Sequence, residues 1–253
     1  MKTNKCAGLL VIFFMIAGAM TLMAQDANTI LGKMDKIIFS PKDKQGKVTM
    51  ILTDKSGKEK IREAVMFQKG NDKRLYRYTA PKSQAGIATL SLPGDVMWLY
   101  MPAFGKPKRI SLLAKNQSFT GTDFSYEDMG TTPYADRYDP VLLDSGKDNY
   151  LLELTPKSGK SNYSKIVVTV DRTFGYPVTI EYYDGRGKNI KIAGYRYEKI
   201  GNYWNAAEVV MKDLEKNQST TILLSDVRFD QGLPDSLFEV ENLMSAGDIK
   251  DED

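Results

Sequence analysis

The first clear pattern in the chain is helical. Between residues 26 and 40 the apolar residues follow a spacing near 3.6, and Pro41 comes directly after them. This spacing predicts an amphipathic helix that ends before the proline, which has no N–H to continue the helical hydrogen bonds. A helix with one apolar stripe must lie on another apolar surface. The apolar positions are Ile30, Leu31, Met34, Ile37, Ile38 and Phe39.

After this helix the pattern changes to short strands separated by turns. Alternating apolar and polar residues, with turn residues such as Pro93-Gly94-Asp95 between them, predict about eleven strands at close spacing. Strands joined by short turns form an antiparallel meander, and a sheet of this width must curl. The fold class predicted is all-β with a few helices: an open, curved antiparallel half-barrel. The predicted strands are Val48–Asp54, Ile61–Gln68, Arg74–Thr79, Gly86–Leu92, Val96–Met101, Tyr150–Thr155, Ile166–Asp171, Pro177–Asp184, Asn189–Glu198, Trp204–Leu214 and Ser219–Phe229.

One long stretch, residues 104–146, lacks this alternation. It contains several glycines together with many acidic and aromatic residues. We expect long loops with short helices near Tyr126–Met129 and Tyr134–Leu143. A long insertion inside a compact sheet usually covers or gates a functional site.

Several strands are apolar on both faces, which a one-sided sheet does not need. In Val96–Met101, for example, Trp98 and Tyr100 share one face, while Met97 and Leu99 lie on the other. A filled core and an acyl-chain cavity both fit this composition. Under the cavity hypothesis, the helix and the insertion cover a wall of mostly strand residues. The predicted wall is Met50, Leu52, Met66, Trp98, Tyr100, Phe124, Val168, Ile180 and Tyr182.

The N-terminus has the composition of a secretory signal peptide. Lys2 and Lys5 precede an apolar run, Leu9–Met23, that is shorter than the about 20 residues of a membrane span. We expect cleavage after Ala24, which leaves residues 25–253 as one exported domain in the periplasm; an uncleaved anchor is the alternative. Cys6, the only cysteine, precedes the apolar run, so the mature chain has no thiol.

Composition excludes several kinds of chemistry. The chain contains no histidine, so serine–histidine triads and HExxH zinc sites are absent. Removal of residues 1–24 takes away two lysines and lowers the formal net charge from +3 to +1, and no basic tract suits nucleic acid. We therefore expect no enzyme activity, no cofactor, no metal and no nucleic-acid partner.

The acidic residues of the insertion leave one catalytic hypothesis open. Paired carboxylates can act as general acid and base or bind calcium. The interpretation we favour is loop capping together with ion pairs to Lys108, Arg109 or Arg137; contact with a partner protein is a further alternative. The acidic residues are Asp123, Glu127, Asp128, Asp136 and Asp139.

Six segments along the chain form a recognisable series. They are Trp98–Pro102 (WLYMP), Arg109-Ile110, Gly121–Met129 (GTDFSYEDM), Tyr150–Pro156 (YLLELTP), Pro177–Asp184 (PVTIEYYD) and Leu233–Phe238 (LPDSLF). In this order they resemble the LolA-like outer-membrane lipoprotein-sorting proteins, and the most specific element is GTDFSYEDM. The resemblance covers nearly the whole mature chain and indicates a longer, divergent branch of that family.

The resemblance implies a periplasmic half-barrel lidded by helices. It also implies a carrier, or chaperone, that binds the acyl chains of lipoproteins or lipids and delivers them towards the outer membrane. An inner-membrane exporter and an outer-membrane acceptor would then be its partners. The alternative is a non-enzymatic lipid-binding accessory or sensor module of an RND-type envelope exporter or signalling system.

Overall fold

The computed structural model describes residues 26–111, 114, 116–159 and 161–245. The predicted signal peptide, residues 1–24, lies outside this part of the chain. The predicted amphipathic helix is confirmed as α1, residues 26–38, and Pro41 follows it. Within the described residues, neither this helix nor the short second one has the length and apolar composition needed to span a membrane.

About half of the described residues lie in strands, and all of these strands belong to one 13-stranded antiparallel sheet. Each strand pairs with its sequence neighbours, except where the chain crosses from one edge to the other. The strands are β1 (Asp43–Thr53), β2 (Glu59–Lys69), β3 (Lys73–Ala80), β4 (Ala88–Leu92), β5 (Val96–Tyr100), β6 (Lys108–Arg109), β7 (Tyr138–Ser145), β8 (Asn149–Pro156), β9 (Lys165–Asp171), β10 (Pro177–Tyr183), β11 (Asn189–Ile200), β12 (Tyr203–Asp213) and β13 (Gln218–Phe229).

The path of the chain leaves the sheet open. β1 and β13 pair in the middle of the sheet, with Met50 opposite Ile222, while β6 and β7 form its two edges. The chain therefore meanders from β1 out to β6, crosses to β7 at the far edge, and meanders back to β13. The edges do not pair with each other, so the sheet is a half-barrel, as predicted. Residues 116–137 of the connection between the edges are called the crossing segment below.

The regular strands follow the sequence prediction closely, and the crossing region does not. All eleven predicted strands are present, and β6 and β7 are two additional ones. The predicted helix Tyr134–Leu143 is wrong beyond its first turn, because α2 spans only Tyr134–Arg137 and β7 follows at once. Pro140 explains the difference: proline breaks a helix but is tolerated in an edge strand.

The second short helix predicted in this region, Tyr126–Met129, is also wrong. These residues form hydrogen-bonded turns instead. The Met129 amide donates to the Ser125 carbonyl at 3.2 Å, and the Gly130 amide donates to the Glu127 carbonyl at 3.2 Å.

The inner face of the sheet carries the larger apolar cluster. Tyr76 on β3 and Val168 on β9 belong to the same cluster as Leu31 and Met34 of α1. These two strands are seven positions apart in the sheet order, which in a flat sheet is more than about 30 Å. The sheet therefore curls around α1 and the crossing segment, both of which contribute buried side chains to this cluster.

On the outer face, the C-terminal strap, residues 233–243, covers strands β2–β5. The strap contains two short 3-10 helices, Asp235–Phe238 and Glu241–Leu243. Its apolar side chains pack on β2, β3 and β4 of the sheet. The buried members of this second cluster are Phe67, Leu75, Ala88, Leu90, Leu233, Phe238 and Leu243.

A buried carboxylate directs the chain from β13 into the strap. Asp43, 3% exposed, accepts hydrogen bonds from the backbone amides of Gln231 (2.7 Å), Gly232 (2.8 Å) and Leu233 (3.0 Å). Charged acceptors make stronger hydrogen bonds than neutral ones. Asp43 therefore fixes the point where the chain turns onto the outer face.

Replacing Asp43 with alanine tests this role. Because three amides lose a charged acceptor, Asp43→Ala should lower the free energy of unfolding by about 1.5–3 kcal/mol. It should also raise hydrogen exchange at the Leu237 and Leu243 amides, which are bonded inside the strap. The control is Asp144→Ala, an exposed position on β7. Unchanged exchange in the strap would contradict the assignment.

Candidate functional site

The candidate site is a cavity of about 190 Å³ between the inner face, the end of α1 and the crossing segment. It is bounded mainly by apolar and aromatic side chains, with a group of charged residues among them. Its lining residues are Ile38, Phe39, Lys44, Met66, Gln68, Arg74, Tyr76, Phe124, Asp128, Met129, Gly130, Thr132, Tyr134, Arg137, Pro177, Tyr195, Tyr197, Trp204, Ala206, Val209, Ile222 and Leu224.

α1 and the crossing segment together cover the cavity, and the crossing segment contributes aromatic side chains to this cover. Phe119 packs edge-on against Tyr76 of the sheet at 5.8 Å and against Tyr126 at 5.4 Å. Phe119, Phe124 and Tyr126 are all buried in the inner cluster. This explains why the region shows no strand alternation in the sequence. It is a loop that packs its aromatic side chains on an apolar face.

Polar contacts attach both parts of the cover. On α1, Asp35 accepts hydrogen bonds from the backbone amides of Tyr134 (2.9 Å) and Ala135 (2.8 Å), and its burial raises its pKa. In the crossing segment, the Asp123 carboxylate accepts from the Thr220 hydroxyl at 2.7 Å and from the Gln218 side-chain Nε2 at 2.7 Å, both on β13. The helix is therefore tied to the crossing segment, which is tied to the sheet.

The two remaining acids of the GTDFSYEDM segment are held in the same way. Asp128 accepts from the Ser125 amide (2.7 Å) and the Tyr163 hydroxyl (2.9 Å), and Glu127 accepts from the Ser161 hydroxyl (2.6 Å). Loop capping is thus what these carboxylates do. The expected ion pairs to Lys108, Arg109 or Arg137 are not found among the described residues; Lys191 lies 3.6 Å from Asp128 instead.

Of the other acids in the predicted group, Asp136 and Asp139 are exposed. The described residues contain no group of three or more acidic, histidine or cysteine side chains that could hold a metal ion.

An aromatic wall lines one side of the cavity on β11 and β12. Tyr195 and Tyr197 stack at 6.2 Å, and Tyr176 stacks on Tyr197 at 4.1 Å and meets Trp204 edge-on at 5.2 Å. Burial raises the pKa of Tyr195 well above its ordinary value, so its hydroxyl is neutral. Such rings offer a large apolar surface with a polar rim. The predicted wall missed these residues, although their alternation with charged residues along β11 is visible in the sequence.

The predicted cavity wall is only partly brought together. Met66 and Phe124 line the cavity. Another five residues lie in or against the inner cluster but away from the cavity lining: Met50, Leu52, Val168, Ile180 and Tyr182.

Trp98 and Tyr100 require a correction, because they lie on the outer face. Trp98 pairs with Leu90 and Tyr100 with Ala88, and all four side chains belong to the cluster beneath the strap. Met97 and Leu99 face the inner cluster instead. A strand that is apolar on both faces does not reveal in its own sequence which face is the inner one.

Basic residues also reach the cavity from the strands beside α1. Lys44 on β1 pairs with Gln68 on β2, which pairs with Arg74 on β3, so the three lie in one row across the sheet. Arg74 donates two hydrogen bonds to the Gln68 side-chain oxygen, at 3.1 and 2.9 Å. Loss of solvation, with a smaller effect from the Arg74 charge, lowers the pKa of Lys44 to about 7.

The Lys44 titration gives a direct test of this site geometry. Buried surroundings and Arg74 oppose the charged form and Glu198 favours it, so the ammonium group should lose its proton between about pH 6 and 8. NMR of isotope-labelled lysine side chains should show one signal with a midpoint near 7, absent in Lys44→Arg. Exposed Lys60 serves as the internal control. A Lys44 midpoint near the ordinary 10.5 would contradict the geometry.

Comparisons with known proteins agree on one group. A family model whose description reads "uncharacterized protein" matches residues 70–245. A solved domain from Vibrio parahaemolyticus, assigned to outer-membrane lipoprotein sorting, is 28% identical with a TM-score of 0.81, over 88% of this chain and 100% of that one. No curated protein matches the chain.

Two further solved structures are similar over almost their full length. A DUF1329 family protein from Desulfovibrio piger is 28% identical with a TM-score of 0.82, over 87% of this chain and 99% of that one. A LolA superfamily protein from Nitrosomonas europaea is 27% identical with a TM-score of 0.72, over 85% and 98%.

Proposed function

This chain belongs to the LolA-like family of outer-membrane lipoprotein-sorting proteins, as a divergent member, and we propose that it is a non-catalytic carrier. It binds the acyl chains of lipoproteins or lipids in the cavity on its inner face and delivers them towards the outer membrane. The observation that supports this most is the apolar and aromatic cavity, which is closed by a helix and a loop rather than by the sheet itself.

Burial of apolar surface provides the binding energy in this proposal. Each CH₂ group removed from water contributes about 0.8 kcal/mol, so an acyl chain is held without directional contacts. The cavity of about 190 Å³ is smaller than the roughly 300–1,000 Å³ of sites that enclose whole ligands. A complete acyl chain therefore enters only when the cover moves outward.

The attachment of the cover suits such movement. α1 meets the crossing segment through Asp35 and meets the sheet through its apolar stripe, so an acyl chain can replace the contacts that the stripe loses. The crossing segment keeps its own anchor to β13 through Asp123. In this proposal α1 swings and the crossing segment remains on the sheet.

The compartment and the partners follow from the signal-peptide composition together with the family. Residues 1–24 direct export, and residues 25–253 act in the periplasm as one carrier domain. An inner-membrane exporter supplies the cargo and an outer-membrane acceptor receives it. The absence of histidine and the capping role of Glu127 and Asp128 support a function without catalysis.

Filling the cavity tests the proposal. Ala206 lies on the cavity wall, and Ala206→Trp places an indole ring in the space that the acyl chain needs. We expect binding of an uncharged fluorescent acyl probe to weaken at least about tenfold, because a filled site offers no apolar surface to the tail.

The matched control is Val210→Trp, which adds the same ring on the opposite face of β12. A bulge at Ala207 shifts the alternation, so Ala206 and Val209 both line the cavity, and Val210, the neighbour of Val209, points to the other face. It should bind the probe like the unchanged protein. Circular dichroism should show the same sheet in both variants. Unchanged probe affinity in Ala206→Trp would contradict binding in this cavity.

A further inference from the structure

Three basic side chains meet at the apolar cavity. Lys44 and Arg74 reach it from the sheet, on either side of Gln68. Arg137 reaches it from the end of α2 on the opposite side, where its guanidinium group lies 4.8 Å from the Tyr134 ring centre and 5.1 Å from that of Tyr138. Positive charge therefore approaches the cavity from the sheet and from its cover.

These three cations have no carboxylate partner among the described residues. None of the ion pairs within 4.0 Å in this part of the chain involves them. The Lys44 ammonium group lies 5.8 Å from the centre of the Phe229 ring, and both Arg74 hydrogen bonds go to the neutral Gln68.

The acids near the cavity are engaged elsewhere. Asp128 is bonded by Ser125 and Tyr163, and Asp35 by two backbone amides. Glu198, which acts on Lys44 through its charge, accepts from the Asn205 side chain at 3.0 Å. The positive charge of the cavity is therefore not neutralised by direct pairing.

A buried, unpaired cation is costly unless something compensates it. Arg137 shows this most clearly, because its Nε–H is buried without any hydrogen-bond acceptor. The lowered pKa of Lys44 has the same origin, since burial and Arg74 both oppose its charge. An anion in the cavity would supply the missing acceptor and relieve the repulsion between the cations.

Given the carrier function proposed above, on which this step rests, we infer that the cargo is an anionic amphiphile. Its oxyanion head group, a phosphate or carboxylate, lies among Lys44, Arg74 and Arg137, and its apolar tail lies along the aromatic wall at Tyr195 and Trp204. The guanidinium fork of arginine matches the geometry of both oxyanions. An uncharged lipid would leave the three cations without a partner.

Pairs of ligands with equal tails separate charge from tail length. Dipalmitoyl phosphatidate is compared with dipalmitoylglycerol, and palmitate with hexadecanol, as competitors for an uncharged fluorescent acyl probe in neutral detergent micelles. We expect the anionic member of at least one pair to bind about tenfold tighter or more, as charged hydrogen bonds provide. A preference in either pair supports the inference and identifies the head group.

Variants then locate the source of the preference. Lys44→Met and Arg74→Gln remove one basic group each and keep a side chain of similar length, and the control is Lys60→Met at an exposed position of β2. Each of the first two should reduce the preference for the anionic ligand about tenfold while the uncharged ligand binds as before. The control should change neither.

The outcomes distinguish this inference from the function on which it rests. If charged and uncharged partners bind the unchanged protein equally well, the head-group assignment is wrong and the carrier proposal stands. The assignment is also wrong if both variants lose the two ligands in parallel. If no ligand displaces the probe, or the probe itself does not bind, the carrier proposal fails and the head-group assignment fails with it.

Discussion

A wide antiparallel sheet that is apolar on both faces cannot remain uncovered in water, and this constraint organises the molecule. The pairing of β1 with β13 in the middle of the sheet provides the solution. This pairing places the segment before β1 close to the segment after β13. One of the two lies on the inner face of the sheet and the other on the outer face. α1 packs on the inner face and the strap covers the outer face over β2–β5, so both ends of the described chain act as covers.

The two covers differ in how they are held and in what lies beneath them. On the outer face, the charged acceptor Asp43 and a compact apolar cluster fix the strap. On the inner face, a cavity remains between α1, the crossing segment and the sheet, and it is lined by three cations that have no carboxylate partner among the described residues. A cavity of about 180 Å³ also lies beneath the strap, so the inner cavity is distinguished by its aromatic wall and its cations rather than by its volume.

Local pattern determined what could be predicted from the sequence. The 3.6-residue spacing located α1, and alternation with turn residues located the eleven main strands, because each pattern depends on residues that are close in the sequence. The sequence could not show which face of β5 points inward, because Trp98 and Met97 are both apolar. Only the pairing of Trp98 with Leu90 decides between the two faces. The cations at the cavity could not be predicted for a similar reason. Lys44 and Arg74 lie near strand ends, where a charged residue is expected to face solvent, and only the curl of the sheet brings them to the cavity.

A carrier with this cavity should hold an amphiphile on its inner face in the cell. Native mass spectrometry of protein recovered from the cells that produce it, with extraction and identification of bound molecules, tests this most directly. The expected result is one molecule per chain that has at least one acyl tail and an anionic head group. Protein that carries no lipid, or that carries a polar solute without an apolar tail, would contradict the account.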